Sequence, residues 1–116
     1  MRDALRAVMT AAEGAGEIQG AGVRRGRAEH PVCGDVVQID VRVDDGVITD
    51  VAWRASGCPA CVAVAAAVPV AWRGAPFQHA PERLAARLQE LGGLAVHERH
   101  AERLVLDALA RAEPSS

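Results

Sequence analysis

Between Val36 and Val51 the apolar residues fall on every second position, and this periodicity constrains the chain more than any other feature. Val37, Ile39, Val41 and Val43 alternate with polar or exposed positions. After Asp44-Asp45-Gly46 the chain returns through Val47-Ile48-Thr49-Asp50-Val51-Ala52-Trp53. A period of two is that of a strand with one face in a core, and Asp-Gly between two such runs is a strong hairpin signal. Val36–Val43 and Val47–Trp53 are therefore expected to pair antiparallel. The rest of the chain has to cover the apolar face of that hairpin.

Helical periodicity supplies the cover. Ala4, Leu5, Val8, Met9 and Ala12 share one face of a first helix over Met1–Ala12. Glu13–Gly22, with four glycines, is a break, and Val23 to Ala28 reads as a short strand stopped by His30-Pro31. Gly57-Cys58-Pro59 turns the chain into an almost purely Ala/Val helix, Ala60–Ala71, with an interruption expected near Pro69. Pro81 opens a helix striped by Leu84, Leu88 and Leu91 and ended by Gly92-Gly93. A last helix runs from about Glu98 to Ala112, with Ala101, Leu104, Ala108 and Leu109 inward, and Glu113–Ser116 is expected to fray. The fold class is α+β: a small antiparallel three-stranded sheet covered by helices, in a single domain over residues 1–116.

Composition excludes several partners. All 13 basic residues are arginines, but they are scattered among 15 acids and the net charge is −2. That is not the footprint of a nucleic-acid binder. Arg24, Arg25 and Arg27 cluster, and they read as the outer face of an edge strand. The longest apolar stretch, Cys58–Trp72, carries two prolines and falls short of the ~20 residues a membrane span needs. Three cysteines behind an N-terminus without a signal peptide make no disulfide framework. An odd number of thiols points to metal or redox chemistry in a reducing compartment, the cytoplasm.

Those thiols flank the hairpin. Cys33 and Asp35 lie on the loop that enters it, in His30-Pro31-Val32-Cys33-Gly34-Asp35. Cys58 and Cys61 lie where the chain leaves it, in Gly57-Cys58-Pro59-Ala60-Cys61. An antiparallel hairpin returns the chain to its start, so Cys33, Asp35, Cys58 and Cys61 are expected to converge. A helix N-terminus favours thiolates at Cys58 and Cys61. Thiolates with one harder ligand suit zinc or an iron–sulfur cluster. His97 and His100, three residues apart, can share a face at the start of the last helix. His79 and Trp72 are assigned to surface and packing.

The first of these segments resembles the Asn-Pro-x-Cys-Gly-Asp signature of the IscU/NifU scaffolds, with His30 in place of Asn. Trp53-Arg54-Ala55-Ser56-Gly57-Cys58 is similar to their aromatic-x-Gly-x-Gly-Cys element, and Leu91-Gly92-Gly93-Leu94 to their third block. The likeness extends from about Gly16 to Ala112. It implies a scaffold, not an enzyme, that assembles an iron–sulfur cluster of the 2Fe-2S type, with zinc possible at the same site. It implies Cys33 and Cys58 as ligands and Asp35 as the residue that tunes cluster stability and release. It also implies a cysteine desulfurase as sulfur donor and apo-proteins as acceptors. The family's third cysteine, which follows a histidine at the start of the last helix, is replaced: the histidine is His100, and Ala101 follows it. The family's Leu-Pro-Pro-Val-Lys chaperone motif is also missing, Leu94-Ala95-Val96-His97-Glu98 standing there, so an Hsp70-type partner is not expected. Cys61 is an extra thiol where the family carries a small residue, and it is expected to replace the one lost at Ala101. The full candidate set is Cys33, Asp35, Cys58, Cys61 and His100.

Two other readings stand beside this one. Cys58-Pro59-Ala60-Cys61 in isolation is a dithiol oxidoreductase motif, although such motifs follow a strand of a βαβ unit and this one follows an antiparallel hairpin. A degenerate scaffold keeping only a structural zinc is the other.

Overall fold

The computed structural model describes residues 1–114. Their order is α1 (Asp3–Ala11), β1 (Val23–Glu29), β2 (Val36–Asp44), β3 (Val47–Ser56), α2 (Pro59–Trp72), α3 (Ala80–Glu90), α4 (Arg99–Ala110) and β4 (Glu113–Pro114), with single 3₁₀ turns at Phe77–His79 and Val96–Glu98. The sheet is antiparallel, in the order β3-β2-β1-β4.

The β2–β3 hairpin forms as its periodicity requires. Val36 pairs with Ser56 at the open end and Asp44 with Val47 at the closed end. Asp45 and Gly46 both take positive φ, 51° and 77°, which matches the right-handed twist of the flanking strands. A register shift between Arg42 and Val43 marks a bulge beside the turn. Val37, Ile39 and Val41 are fully buried and point at the helices.

α2 is the centre of the molecule. Its residues are apolar on every face and ten of them are buried, as in a helix surrounded by other elements rather than laid on a surface. It packs against β3, α1, α3 and α4, while α4 also covers β1. Its small side chains let these elements approach closely. The expected interruption at Pro69 does not occur, and the helix runs on to Trp72. Trp72 is fully buried, and its indole N–H donates to the Ala80 carbonyl at 2.8 Å, which anchors the last turn.

Three expectations need correction. The sheet has four strands, because Glu113 and Pro114 pair with Arg25 and Arg24. These two residues are therefore not frayed, while Ser115 and Ser116 lie outside the described residues. Of the β1 arginines, Arg27 is exposed but Arg25 is not part of a solvated outer row: it stands directly opposite Asp40 in the β1–β2 register. Asp40 is itself fully buried. Arg25 Nε and Nη2 reach its two carboxylate oxygens at 2.8 and 2.9 Å, and the Ile18 N–H donates to the same carboxylate at 3.1 Å. This ion pair pins the glycine-rich segment that follows α1 across the sheet's polar face. The last helix begins one residue later than expected and ends at Ala110, with the Val96–Glu98 turn ahead of it. Glu98 is buried there and accepts the Ala95 N–H at 2.9 Å, which closes the turn ahead of the helix.

Candidate metal centre

The open end of the hairpin and the start of α2 meet at one corner. Val36 pairs with Ser56, so Asp35 is carried alongside Gly57 and Cys58. Gly57 has φ +115°, and a Cβ there would lie 2.1 Å from Asp35 Oδ1 and 2.8 Å from Asp35 Cα. Only glycine permits that approach. The contact it allows is a hydrogen bond, in which the Cys58 N–H donates to Asp35 Oδ1 at 2.8 Å. Asp35 thus serves from outside the helix as a cap for α2, whose own N-cap residue, Cys58, makes no side-chain cap.

Four candidate donors converge here: Asp35, Cys58, Cys61 and His100, whose ligand atoms all lie within 4.8 Å of one another. The two sulfurs are 3.5 Å apart. Cys58 Sγ is 3.4 Å from His100 Nε2, Cys61 Sγ is 3.5 Å from Asp35 Oδ2, and His100 Nε2 is 3.7 Å from Asp35 Oδ2. A tetrahedral ion bound at about 2.3 Å to sulfur and 2.0–2.1 Å to nitrogen and oxygen has ligand–ligand edges of roughly 3.3–3.8 Å. The four contacts above, which run in a ring from Cys58 through Cys61 and Asp35 to His100, have the length of such edges.

The surroundings suit a soft cation. His100 Nδ1–H donates to the His97 carbonyl at 2.9 Å, which orients the ring and leaves the Nε2 lone pair facing the sulfurs. Asp35 is buried. The Cys58 N–H holds its carboxyl below the ordinary range, against a desolvation that pushes it up. Desolvation raises the Cys61 thiol, with Cys58 and Asp35 adding to the effect. A cation would reverse that for the Cys61 sulfur. The donor set, two thiols with one imidazole and one carboxylate, is one that zinc or iron accepts.

Of the five candidate residues, Cys33 alone stands apart from this quartet. It is exposed on the β1–β2 loop. His30, which the sequence reading treated only as a departure from a signature, organises that loop. Its Nδ1 accepts the N–H groups of Val32 and Cys33 at 3.3 and 3.2 Å. Its ring also stands edge-on to His100, 5.8 Å between centroids. The clue available in the sequence was that histidine, like asparagine, offers a side-chain acceptor to the loop's backbone. His97 and His79 are exposed and Trp72 is buried, as expected.

Beside the quartet an open cleft of about 480 Å³ is walled by Met1, Met9, Pro59 and Ala60 and ends on Cys58 and His100. A larger groove of about 840 Å³ lies between α3 and α4, lined among others by Leu88, Leu94 and Leu106, and includes no candidate ligand. Among the described residues no helix is long and apolar enough to cross a membrane.

Similar proteins share this sequence and architecture. The chain is 34% identical over 88 residues to the iron-sulfur cluster assembly scaffold protein IscU 1 of Archaeoglobus fulgidus, covering 75% of this chain and 58% of that protein. It is 38% identical over 102 residues to the bifunctional protein NifU/MnmA of Rubrobacter xylanophilus, covering 84% of this chain and 20% of that one. The chain thus spans little more than half the length of the Archaeoglobus relative. In fold it is similar to a putative iron-sulfur cluster assembly scaffold protein for the SUF system from Fervidobacterium islandicum. The TM-score is 0.70 at 17% identity, covering 95% of this chain and 93% of that one. The N-terminal part of a nitrogen-fixing NifU-like protein from Brucella abortus gives a TM-score of 0.66 at 18% identity, covering 94% and 86%. Residues 5–113, from the first helix to the fourth strand, match the family described as the NifU-like N terminal domain, and the chain belongs to that family.

Proposed function

We propose that this chain is an iron–sulfur cluster assembly scaffold, and that Asp35, Cys58, Cys61 and His100 hold its metal. The observation that carries the reading is the ring of four donor atoms at neighbouring distances of 3.4–3.7 Å, built on the corner where the hairpin opens. The relatives' names support its iron–sulfur character. In this reading Cys61 takes over the thiolate that Ala101 lacks. Ala101 itself is fully buried among Leu104, Val105 and the α2 side chains.

A quartet this compact fits one ion, zinc or a first iron. A 2Fe-2S cluster is wider and needs a ligand further out, and Cys33 on the adjoining exposed loop is that ligand. A cluster held partly by an imidazole, a carboxylate and a loop thiol is bound less firmly than by four buried thiolates, which suits a cargo that has to leave for an apo-protein. A cysteine desulfurase supplies the sulfur. The chain works as a carrier and not as an enzyme, in a compartment that keeps its thiols reduced, the cytoplasm.

Anaerobic reconstitution with iron and sulfide, followed by absorption and Mössbauer spectroscopy, tests this directly. A transferable cluster supports the reading. Tight zinc with no cluster under any condition sinks it and leaves a structural zinc.

A further inference from the structure

Two of the four donors are thiols that touch each other, and that arrangement permits a second chemistry. Cys58 and Cys61 have their sulfurs 3.5 Å apart with no bond between them. A disulfide of about 2.05 Å requires the sulfurs to close by roughly 1.5 Å. The backbone allows it: Cys58 is extended, at φ −69° and ψ 148°, and stands just outside the helix. Because Cys58 is the N-cap and lies outside the helical ladder, closing the pair calls for movement at the helix's end rather than within it. The two thiols also differ in access. Cys58 is half-buried and lines the floor of the open cleft beside Met9, Pro59 and His100. Cys61 is fully buried, so a reagent from solvent meets Cys58 first.

From this geometry we infer that the metal-free chain is a dithiol that reacts with low-molecular-weight disulfides, and that the Cys58–Cys61 bond so formed closes the metal site. The inference rests on the metal reading above. In the first step Cys58 Sγ attacks one sulfur of the small disulfide. One external thiol leaves, carrying the Cys58 proton, and a mixed disulfide remains. In the second step Cys61 Sγ attacks Cys58 Sγ and expels the other external thiol, which takes the Cys61 proton. The protein dithiol is oxidised by two electrons and the small disulfide is reduced to two thiols. The product keeps only His100 and Asp35 as donors, too few for a tetrahedral site. Bound metal occupies both sulfurs and prevents the first attack. Loading and oxidation are therefore mutually exclusive, and a thiol reductant restores loading. Cys33 is exposed and outside the cluster, so a mixed disulfide formed on it has no neighbouring thiol of the pair to resolve it and leaves the quartet intact.

The test uses the full chain and oxidised glutathione. Reduced, metal-free protein is treated with it, quenched by alkylation and mapped by peptide mass spectrometry, while zinc uptake is titrated before and after. The expected product is a Cys58–Cys61 link, with zinc uptake lost and then regained on adding dithiothreitol. With free zinc at about 100 times its dissociation constant, the oxidation rate should fall by about 100-fold. Cys61→Ala, a small apolar replacement within an Ala/Val helix, should stop at the mixed disulfide on Cys58. A stable mixed disulfide on Cys58 in the unaltered chain, or a rate of Cys58 oxidation indifferent to zinc, overturns the inference while leaving the metal reading intact. Reduced protein that takes up neither zinc nor iron overturns the metal reading, and the exclusion with it.

Discussion

The amide of Cys58 donates to the carboxylate of Asp35 across 2.8 Å, so a candidate metal donor also closes the strand-to-helix turn. The two roles separate by substitution. Asp35→Ala removes a weak oxygen ligand and leaves a half-buried N–H unpaired, whereas Asp35→Asn keeps an acceptor for that N–H. In urea unfolding of the metal-free form, Asp35→Ala should lose about 1–3 kcal/mol and Asp35→Asn markedly less. Asp35→Ala should still take up metal and should pass its cluster to an acceptor more slowly. Loss of all metal binding in a folded Asp35→Ala would make the carboxylate an obligatory ligand.

Gly57 is held at φ +115° against Asp35. Gly57→Ala should cost about 3 kcal/mol through strain and collision together, and should reduce metal uptake by displacing Asp35 from Cys58. Gly34→Ala is the control. Its φ is also positive, +75°, but nothing lies within 4 Å of an added Cβ, so a loss of about 1 kcal/mol is expected. Equal losses for the two would mean that the close approach to Asp35 has no consequence.

The three cysteines should divide in a zinc titration. Cys58→Ser and Cys61→Ser each remove a sulfur from the quartet and should abolish tight zinc binding, while Cys33→Ser should retain it. In iron–sulfur reconstitution all three should fail, because the wider cluster draws on Cys33. Full zinc and cluster retention in Cys61→Ser would return Cys61 to the core as a small apolar residue.

Away from the site, Arg25 and Asp40 make a bidentate pair in which Asp40 is fully buried. Arg25→Ala strands that carboxylate and should destabilise the fold by about 3 kcal/mol. Arg25→Lys should recover only part, since an ammonium cannot fork across both oxygens. Combining Arg25→Ala with Asp40→Val should recover most of the loss, and an additive double mutant would show that the two do not interact.

What the sequence revealed follows from how locally each feature is encoded. The β2–β3 hairpin was legible because its period and its Asp45-Gly46 turn lie within one short stretch. The convergence of Asp35 with Cys58 and Cys61 followed from it, since a hairpin's two ends must meet. Asp40 was not singled out, because alternation places it among the polar positions and the arginine that neutralises it stands on another strand. The α2 helix continues past Pro69 because Trp72 is locked in the core, a tertiary contact that propensity does not report. Cys33 was expected beside the other thiols because hairpin geometry brings loops together. The loop instead folds onto the His30 side chain and leaves Cys33 exposed, a conformation no periodicity encodes.

His100 reaches the quartet from α4, 42 residues beyond Cys58. Asp35, Cys58 and Cys61 belong to the hairpin corner and the central helix, and only docking of the final helix completes the set. Local opening of the first turn of α4 would withdraw one donor while the sheet and the central helix stay folded, and that turn would then serve as a latch for whatever the quartet holds.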